Sequence, residues 1–178
     1  MSLTDANEAV MNTAFMNDVT MKLLQSGLAT NANLQGCSAS EIGSIEAASK
    51  VALPPAYKEF LRTIGKNAGE FLTGEDVFYP DILDLRQAAD ELLVESRAGF
   101  ALPETAFVFL MHQGYQFMFF DAAGGGDDPA IFHYVEKQAK PAEVFSHFSE
   151  WLKAVLDDEI EISKSMQERA PDNRAKSA

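Results

Sequence analysis

Hydrophobic side chains repeat at intervals of three to four residues over five stretches of the chain. Such spacing places them on one face of a helix, so each stretch is predicted to be helical. In the third stretch, Tyr57, Phe60, Leu61 and Ile64 form one apolar stripe. The five predicted helices are residues 5–26, 40–48, 53–65, 81–99 and 144–167.

Residues at the ends of these stretches support the prediction. Ser38 and Glu41 have the spacing of a capping box at the start of the second helix. Pro54 and Pro55 suit the first turn of the third helix, where no amide hydrogen is needed, and Gly65 suits a left-handed cap at its end. For the last helix, the expected N-cap is Ser146 or Ser149.

After residue 101 the pattern changes to short apolar runs that are typical of strands. Residues 107–111, 115–121 and 130–136 are three such runs, and 112–114 suits a tight hairpin turn between the first two. One more short strand is predicted at Phe71–Leu72. Helices, then consecutive strands, then a closing helix predict an α+β fold, with a mostly antiparallel central sheet flanked by helices.

The length of 178 residues suits a single domain. Residues 38–160 are expected to form the α+β domain, 1–37 an N-terminal helix and loop extension, and 161–178 the end of a helix followed by a disordered tail. The single cysteine excludes a disulfide framework and argues against a zinc site. No stretch has the pattern of a signal peptide or a membrane span, so a cytoplasmic location is expected.

Three glycines followed by Asp127 and Asp128 raise the question of a ligand-binding loop. A phosphate loop of the Walker type needs a lysine, and a dinucleotide loop opens a helix; here two aspartates, a proline and a strand follow. Together with Asp121 the two aspartates could hold a cation, although their spacing does not match a calcium loop. We interpret the segment as an exposed hairpin loop that binds no phosphate.

Catalytic motifs are not found. Of the three histidines, His112, His133 and His147, none has the spacing of a metal site, and no GxSxG motif is present. The interpretation is that they are structural, but His112 and His133 lie in neighbouring predicted elements and could converge in space. No cofactor and no metal site are expected.

The net charge of −13 disfavours nucleic acid and anionic membranes as partners, so a partner chosen by charge would be a basic protein. Residues 70–104 carry nine carboxylates against two arginines, a net charge of −7. This segment is either an ordinary solvated helix face or an acidic docking surface. A second acidic run, 157–161, is interpreted as a solvated or fraying helix end. The candidate partner-binding residues are Glu70, Glu75, Asp76, Asp81, Asp84, Asp90, Glu91 and Glu95.

Four segments occur in an order that resembles the SUKH superfamily, named after fungal cell-wall synthesis regulators of the Smi/Knr type. They are LPPAYKEFLRTIGKNAG (53–69), FVFLMHQGYQFMFFD (107–121), AIFHYVE (130–136) and FSHFSEWLKAVL (145–156). The resemblance implies an α+β fold and no enzymatic activity. It also implies that no catalytic residue can be carried over.

Bacterial members of that superfamily are mostly immunity proteins that neutralise a cognate toxin, often a nuclease, and eukaryotic members are interaction hubs. The resemblance therefore implies an immunity protein that binds a toxin domain, and the excess of acidic residues suits a toxin domain that is basic. A regulatory or scaffold module without a toxin partner is the alternative. A small enzyme that uses His112 and His133 is a further one.

Overall fold

Five α-helices and six strands form an α+β domain in the part of the chain that the computed structural model describes, residues 3–124 and 126–169, with side chains from residue 15 onward. The predicted fold class is therefore confirmed. The helices are α1 (Leu3–Ser26), α2 (Ala39–Ser49), α3 (Pro55–Ile64), α4 (Leu85–Glu95) and α5 (Phe148–Arg169), with a 3-10 turn at Asp81–Leu83 before α4. The strands are β1 (Leu34–Gln35), β2 (Asn67–Ala68), β3 (Ala106–His112), β4 (Gln116–Asp121), β5 (Ile131–Val135) and β6 (Ala142–Phe145).

Strands β3 to β6 form an antiparallel meander in sequence order, and helices cover both of its faces. On one face lies α4, where Ser96 at the end of the helix shares a hydrogen bond of 3.0 Å with the Tyr134 hydroxyl. On the other face Phe148 of α5 packs between Tyr57 of α3 and Phe109 of β3, with ring centroids 5.3 and 5.6 Å apart. The sheet is therefore the middle layer of three.

The apolar stripe predicted on α3 forms the centre of the core. Tyr57, Phe60, Leu61 and Ile64 are all fully buried. Burial of one such side chain stabilises the fold by about 1.5–3 kcal/mol, so this one helix face is among the main sources of stability.

The capping box predicted for α2 is confirmed. The Ser38 hydroxyl accepts from the Glu41 amide at 3.3 Å, and the Glu41 carboxylate accepts from the Ser38 amide at 2.7 Å. The same carboxylate lies 3.0 Å from Lys66 Nζ. The pKa of Glu41 is lowered to about 2, chiefly by the hydrogen bond from the Ser38 amide and next by the one from Lys66. This corner is thus held by charge-assisted hydrogen bonds.

Two local predictions around the end of α3 are wrong. Gly65 is not left-handed (φ −63°); glycine is required there because a Cβ would lie 2.5 Å from the Leu61 carbonyl oxygen. Phe71 and Leu72 lie in turns instead of a strand. The strand in this region is β2. It pairs with β1, which lies in the N-terminal extension where a loop was predicted. Strands of two residues are too short to show an alternating pattern.

Two element boundaries also differ from the prediction. His112 belongs to β3, so the hairpin turn is formed by residues 113–115. Helix α5 begins at Phe148 instead of residue 144. Residues 144 and 145 belong to β6, a strand that was not predicted. The side chains of β6 are mostly exposed, so the strand shows no apolar alternation.

Helix α1 is part of the same core, although it precedes the predicted domain. Phe15, Met16, Val19 and Leu23 are buried, and the helix contacts both α3 and α5. On its surface Lys22 Nζ lies 2.7 Å from a carboxylate oxygen of Asp157 in α5. Among the described residues, no helix has the length and apolar character needed to cross a membrane.

Candidate functional site

Helix α4 presents a solvent-exposed face that combines acidic and apolar side chains. Its inner face buries Leu85, Ala89, Leu92 and Leu93. On the outer face Val94 is 78% exposed and, with Leu83 (38% exposed) before the helix, lines an open groove of about 580 Å³. The surface formed by Leu83, Asp90, Glu91, Val94 and Glu95 is called the α4 surface below.

The charge of the α4 surface is largely uncompensated. Arg86 lies next to it, but its Nε is 2.9 Å from an Asp90 oxygen and its other nitrogens donate to the carbonyls of residues 102, 103 and 106. Arg86 therefore holds the chain before β3 and neutralises Asp90. Glu91 accepts from the neutral Gln87 amide, and neither Glu91 nor Glu95 forms an ion pair within the described part of the chain. The negative charges of these two carboxylates are therefore not neutralised by a cationic side chain of the described part of the chain.

The structure does not bring all eight acidic candidates to one place. Asp90, Glu91 and Glu95 share the α4 surface. Asp81 and Asp84 are exposed at the two ends of the 3-10 turn that leads into α4. Glu70 and Asp76 are exposed in the preceding loops; the backbone of Asp76 forms an isolated bridge to Met111. Glu75 is half-buried, because its carboxylate pairs with His112.

A second candidate site is a cavity of about 250 Å³ between α5 and the sheet, lined by both apolar and polar side chains and called the α5 cavity below. Met118 and His133 line it, whereas their strand neighbours Phe117 and Tyr134 point to the α4 side. The α5 cavity and the α4 surface therefore lie on opposite faces of the sheet. The polar residues that line the cavity are Glu75, His112, Gln116, His133, Trp151 and Glu159.

Hydrogen bonds fix several of these side chains. Glu75 Oε1 accepts from His112 Nδ1 at 2.7 Å, and His133 Nε2 donates to Gln116 Oε1 at 3.1 Å. The Glu159 carboxylate accepts from the Leu72 amide at 3.1 Å, so the interpretation of this residue as part of a solvated or fraying helix end is wrong.

Burial governs the protonation of two groups in the cavity. It lowers the pKa of His133, which favours the neutral imidazole. It also raises the pKa of Glu159, and the negative charge of Glu75 raises it further.

His112 and His133 do converge on this cavity, as the sequence left open. The residues that line it include no serine, threonine, cysteine or lysine that could serve as a nucleophile. His133 is held by a neutral amide instead of a carboxylate. Within residues 3–124 and 126–169, no group of three or more histidine, cysteine or acidic residues is arranged to hold a metal ion.

The glycine loop, residues 122–130, connects antiparallel strands as predicted; residue 125 lies outside the described part. Its two aspartates have a structural role that the sequence did not reveal. The Asp127 carbonyl accepts from the amide of Ala56, the second residue of α3, at 2.9 Å. The Asp128 carboxylate accepts from the amide of Ser149, the second residue of α5, at 3.0 Å and from its hydroxyl at 2.6 Å. The loop thus caps two helices, and neither Ser146 nor Ser149 provides the predicted cap.

An antiparallel meander covered by helices on both faces is the architecture of an α+β domain, and one of its helices, α4, presents an exposed face that is both apolar and acidic. The chain belongs to the SMI1 / KNR4 family (SUKH-1), whose family model matches residues 36–154. The resemblance found in the sequence is therefore confirmed. SUKH domains occur in immunity proteins and in Smi1/Knr4 regulators, and the family is generally non-catalytic and of the protein-interaction type. Comparison with curated proteins finds no match.

Proposed function

We propose that this protein is a non-enzymatic immunity protein that binds and neutralises a cognate toxin domain with a basic surface. We propose the α4 surface as its principal contact. The observation that carries the proposal is the exposed side chain of Val94 between the unpaired carboxylates of Glu91 and Glu95. Protein interfaces commonly combine an apolar centre with a polar, charged rim.

Charge supports a basic partner. The chain has a net charge of −13, and a nuclease toxin presents cationic side chains to the phosphates of its substrate. Carboxylates on a helix can take the positions of those phosphates and thereby block the substrate. Complementary charge also accelerates association and orients the partners before contact. Asp81 and Asp84, at the entry to α4, would extend this acidic contact area.

The first experiment is co-expression of the protein with the product of the neighbouring gene in cells that this product kills. Restored growth supports the immunity function. If no neighbouring product is toxic, but a basic protein copurifies from the native cell, the regulatory or scaffold module becomes the better description. In both cases the contact surface can be tested with the captured partner.

The contact surface is tested by reversing two charges, E91K together with E95K, and measuring the dissociation constant and the association rate. We expect at least tenfold weaker binding, because two attractive charges become repulsive. The matched control is D158K with E161K, which makes the same charge change on exposed positions of α5. An equal effect of both variants would mean that only net charge matters, and would contradict a contact at α4.

A further inference from the structure

The α5 cavity holds polar atoms that the protein itself leaves unpaired. Among the described residues, three buried side-chain polar atoms have no hydrogen-bond partner, and two of them, Glu75 Oε2 and Trp151 Nε1, belong to residues that line this cavity. Trp151 is fully buried. Buried polar groups are nearly always satisfied in folded proteins, because an unpaired one costs about 1–3 kcal/mol. Glu75 Oε2 needs a hydrogen-bond donor, whereas Trp151 Nε1 needs an acceptor, so the two atoms call for different groups.

The charges of the cavity indicate the chemistry of an occupant. Its titratable residues are Glu75, His112, His133 and Glu159, and no lysine or arginine lines it. Two carboxylates therefore face one small space: Glu75 accepts from the imidazole of His112, and Glu159 accepts from the neutral Leu72 amide. Two partly buried carboxylates require a cation or additional hydrogen-bond donors. A cationic group with several N–H donors would meet both needs.

The side chains along the α5 cavity indicate that its occupant also has an apolar part. Trp151, Val155 and Glu159 all line it from successive turns of α5, and the rise of a helix separates the first from the last by about 12 Å along the axis. Leu110 and Met118 of the sheet face them. The cavity thus has a carboxylate towards one end, an indole towards the other and aliphatic side chains between them. An alkyl chain with a charged head matches this order.

We propose that the α5 cavity binds an alkylguanidinium group. The planar guanidinium carries five N–H donors and can pair with Glu75 and Glu159 together, which a compact ammonium group does less well. The alkyl chain lies along Val155 and Met118. The indole N–H of Trp151 needs an acceptor, which a retained water or a carbonyl of the ligand supplies. The guanidinium comes either from a free small molecule or from an arginine side chain of a protein partner.

Trp151 is the one tryptophan in the sequence and lines this cavity, so its fluorescence and its indole N–H resonance should respond to binding there. The probes are agmatine, its isostere N-carbamoylputrescine, in which an uncharged urea replaces the guanidinium while the ammonium group is unchanged, and the peptide acetyl-Gly-Arg-Gly-amide. We expect a saturable response to agmatine and at least tenfold weaker binding of the isostere, because hydrogen bonds to charged groups are the stronger ones. Tighter binding of the peptide than of agmatine would assign the site to an arginine of a protein partner; the reverse would assign it to a small molecule.

Variants test the assigned contacts. E75Q and E159Q should each weaken agmatine binding by about tenfold. Both glutamines keep a carbonyl oxygen to accept from His112 and from the Leu72 amide, so the fold is retained. The control E91Q makes the same charge change on the α4 surface and should leave binding within about twofold. Absence of a response in the wild-type protein, equal binding of the isostere, or unchanged affinity in both variants would overturn the proposal. None of these outcomes depends on the toxin-binding function.

Discussion

Replacing Asp128 by alanine tests whether the glycine loop fastens α5 to the rest of the fold. The substitution removes two acceptors, one 3.0 Å from the Ser149 amide and one 2.6 Å from its hydroxyl. Loss of an N-cap acceptor costs about 1 kcal/mol. The negative charge near the helix N-terminus contributes about 0.5 kcal/mol more, and the hydroxyl contact about the same. We expect D128A to lower the free energy of unfolding by about 2 kcal/mol.

Two further variants separate the contributions. D128N keeps the shape and one acceptor but removes the charge and the second acceptor, so we expect a loss of about 1 kcal/mol. D127A is the matched control. The Asp127 side chain is exposed, and its contact with Ala56 is made by the backbone carbonyl, which alanine retains. We expect D127A to stay within about 0.5 kcal/mol of the wild type.

The measurement is urea unfolding followed by the fluorescence of Trp151, which lies in the first turn of α5. The midpoint and the slope are compared at constant pH, since a changed slope would indicate more than a change in stability. If D128A and D127A unfold within about 0.5 kcal/mol of each other, the capping by Asp128 contributes nothing, and the reasoning is refuted.

Two other predictions concern α5 and α1. Burial raises the pKa of Glu159 above its ordinary value of 4.5, so the unfolded chain releases this proton first and the stability falls as the pH rises from 4.5 through the folded pKa. E159Q should remove this fall. The free energies of unfolding of wild type and variant are compared by urea unfolding from pH 4 upward. A difference between them that does not change with pH would contradict the prediction. L23A empties a fully buried position on α1 and should cost about 2–4 kcal/mol in the same assay, whereas M21A, at a position 54% exposed, should cost less than about 0.5 kcal/mol. Similar losses in the two α1 variants would show that the helix is not packed as described.

The features that could be predicted from the sequence are those set by residues close together in the chain. The stripe on α3 repeats at the helix period, and the Ser38–Glu41 capping box spans four residues, so both are readable without knowledge of the fold. Strand β6 and the pairing of β1 with β2 depend on neighbours that are distant in the chain. The cap that Asp128 gives to α5 joins residues 21 positions apart, and no local signal marks it.

The same distinction applies to the candidate sites. An excess of acidic residues identified the segment that contains α4, and the position of Val94 off the inward stripe could have identified its exposed apolar centre. A count of charges could not separate Glu75 from the exposed carboxylates, because its burial depends on His112 of β3. The α5 cavity draws on three strands, a helix and a loop, so its composition becomes visible only in three dimensions.

In this chain, the segment that the family model matches is shorter than the segment that forms the core, because α1 lies outside the match. The family model starts at residue 36, yet Val19 and Leu23 fill the core between α3 and α5. A fragment cut at the family boundary would expose the surfaces of α3 and α5 that α1 now covers. We therefore expect that any recombinant version or chimera of this domain needs residues 15–26 of α1 in addition to the segment that the family model matches.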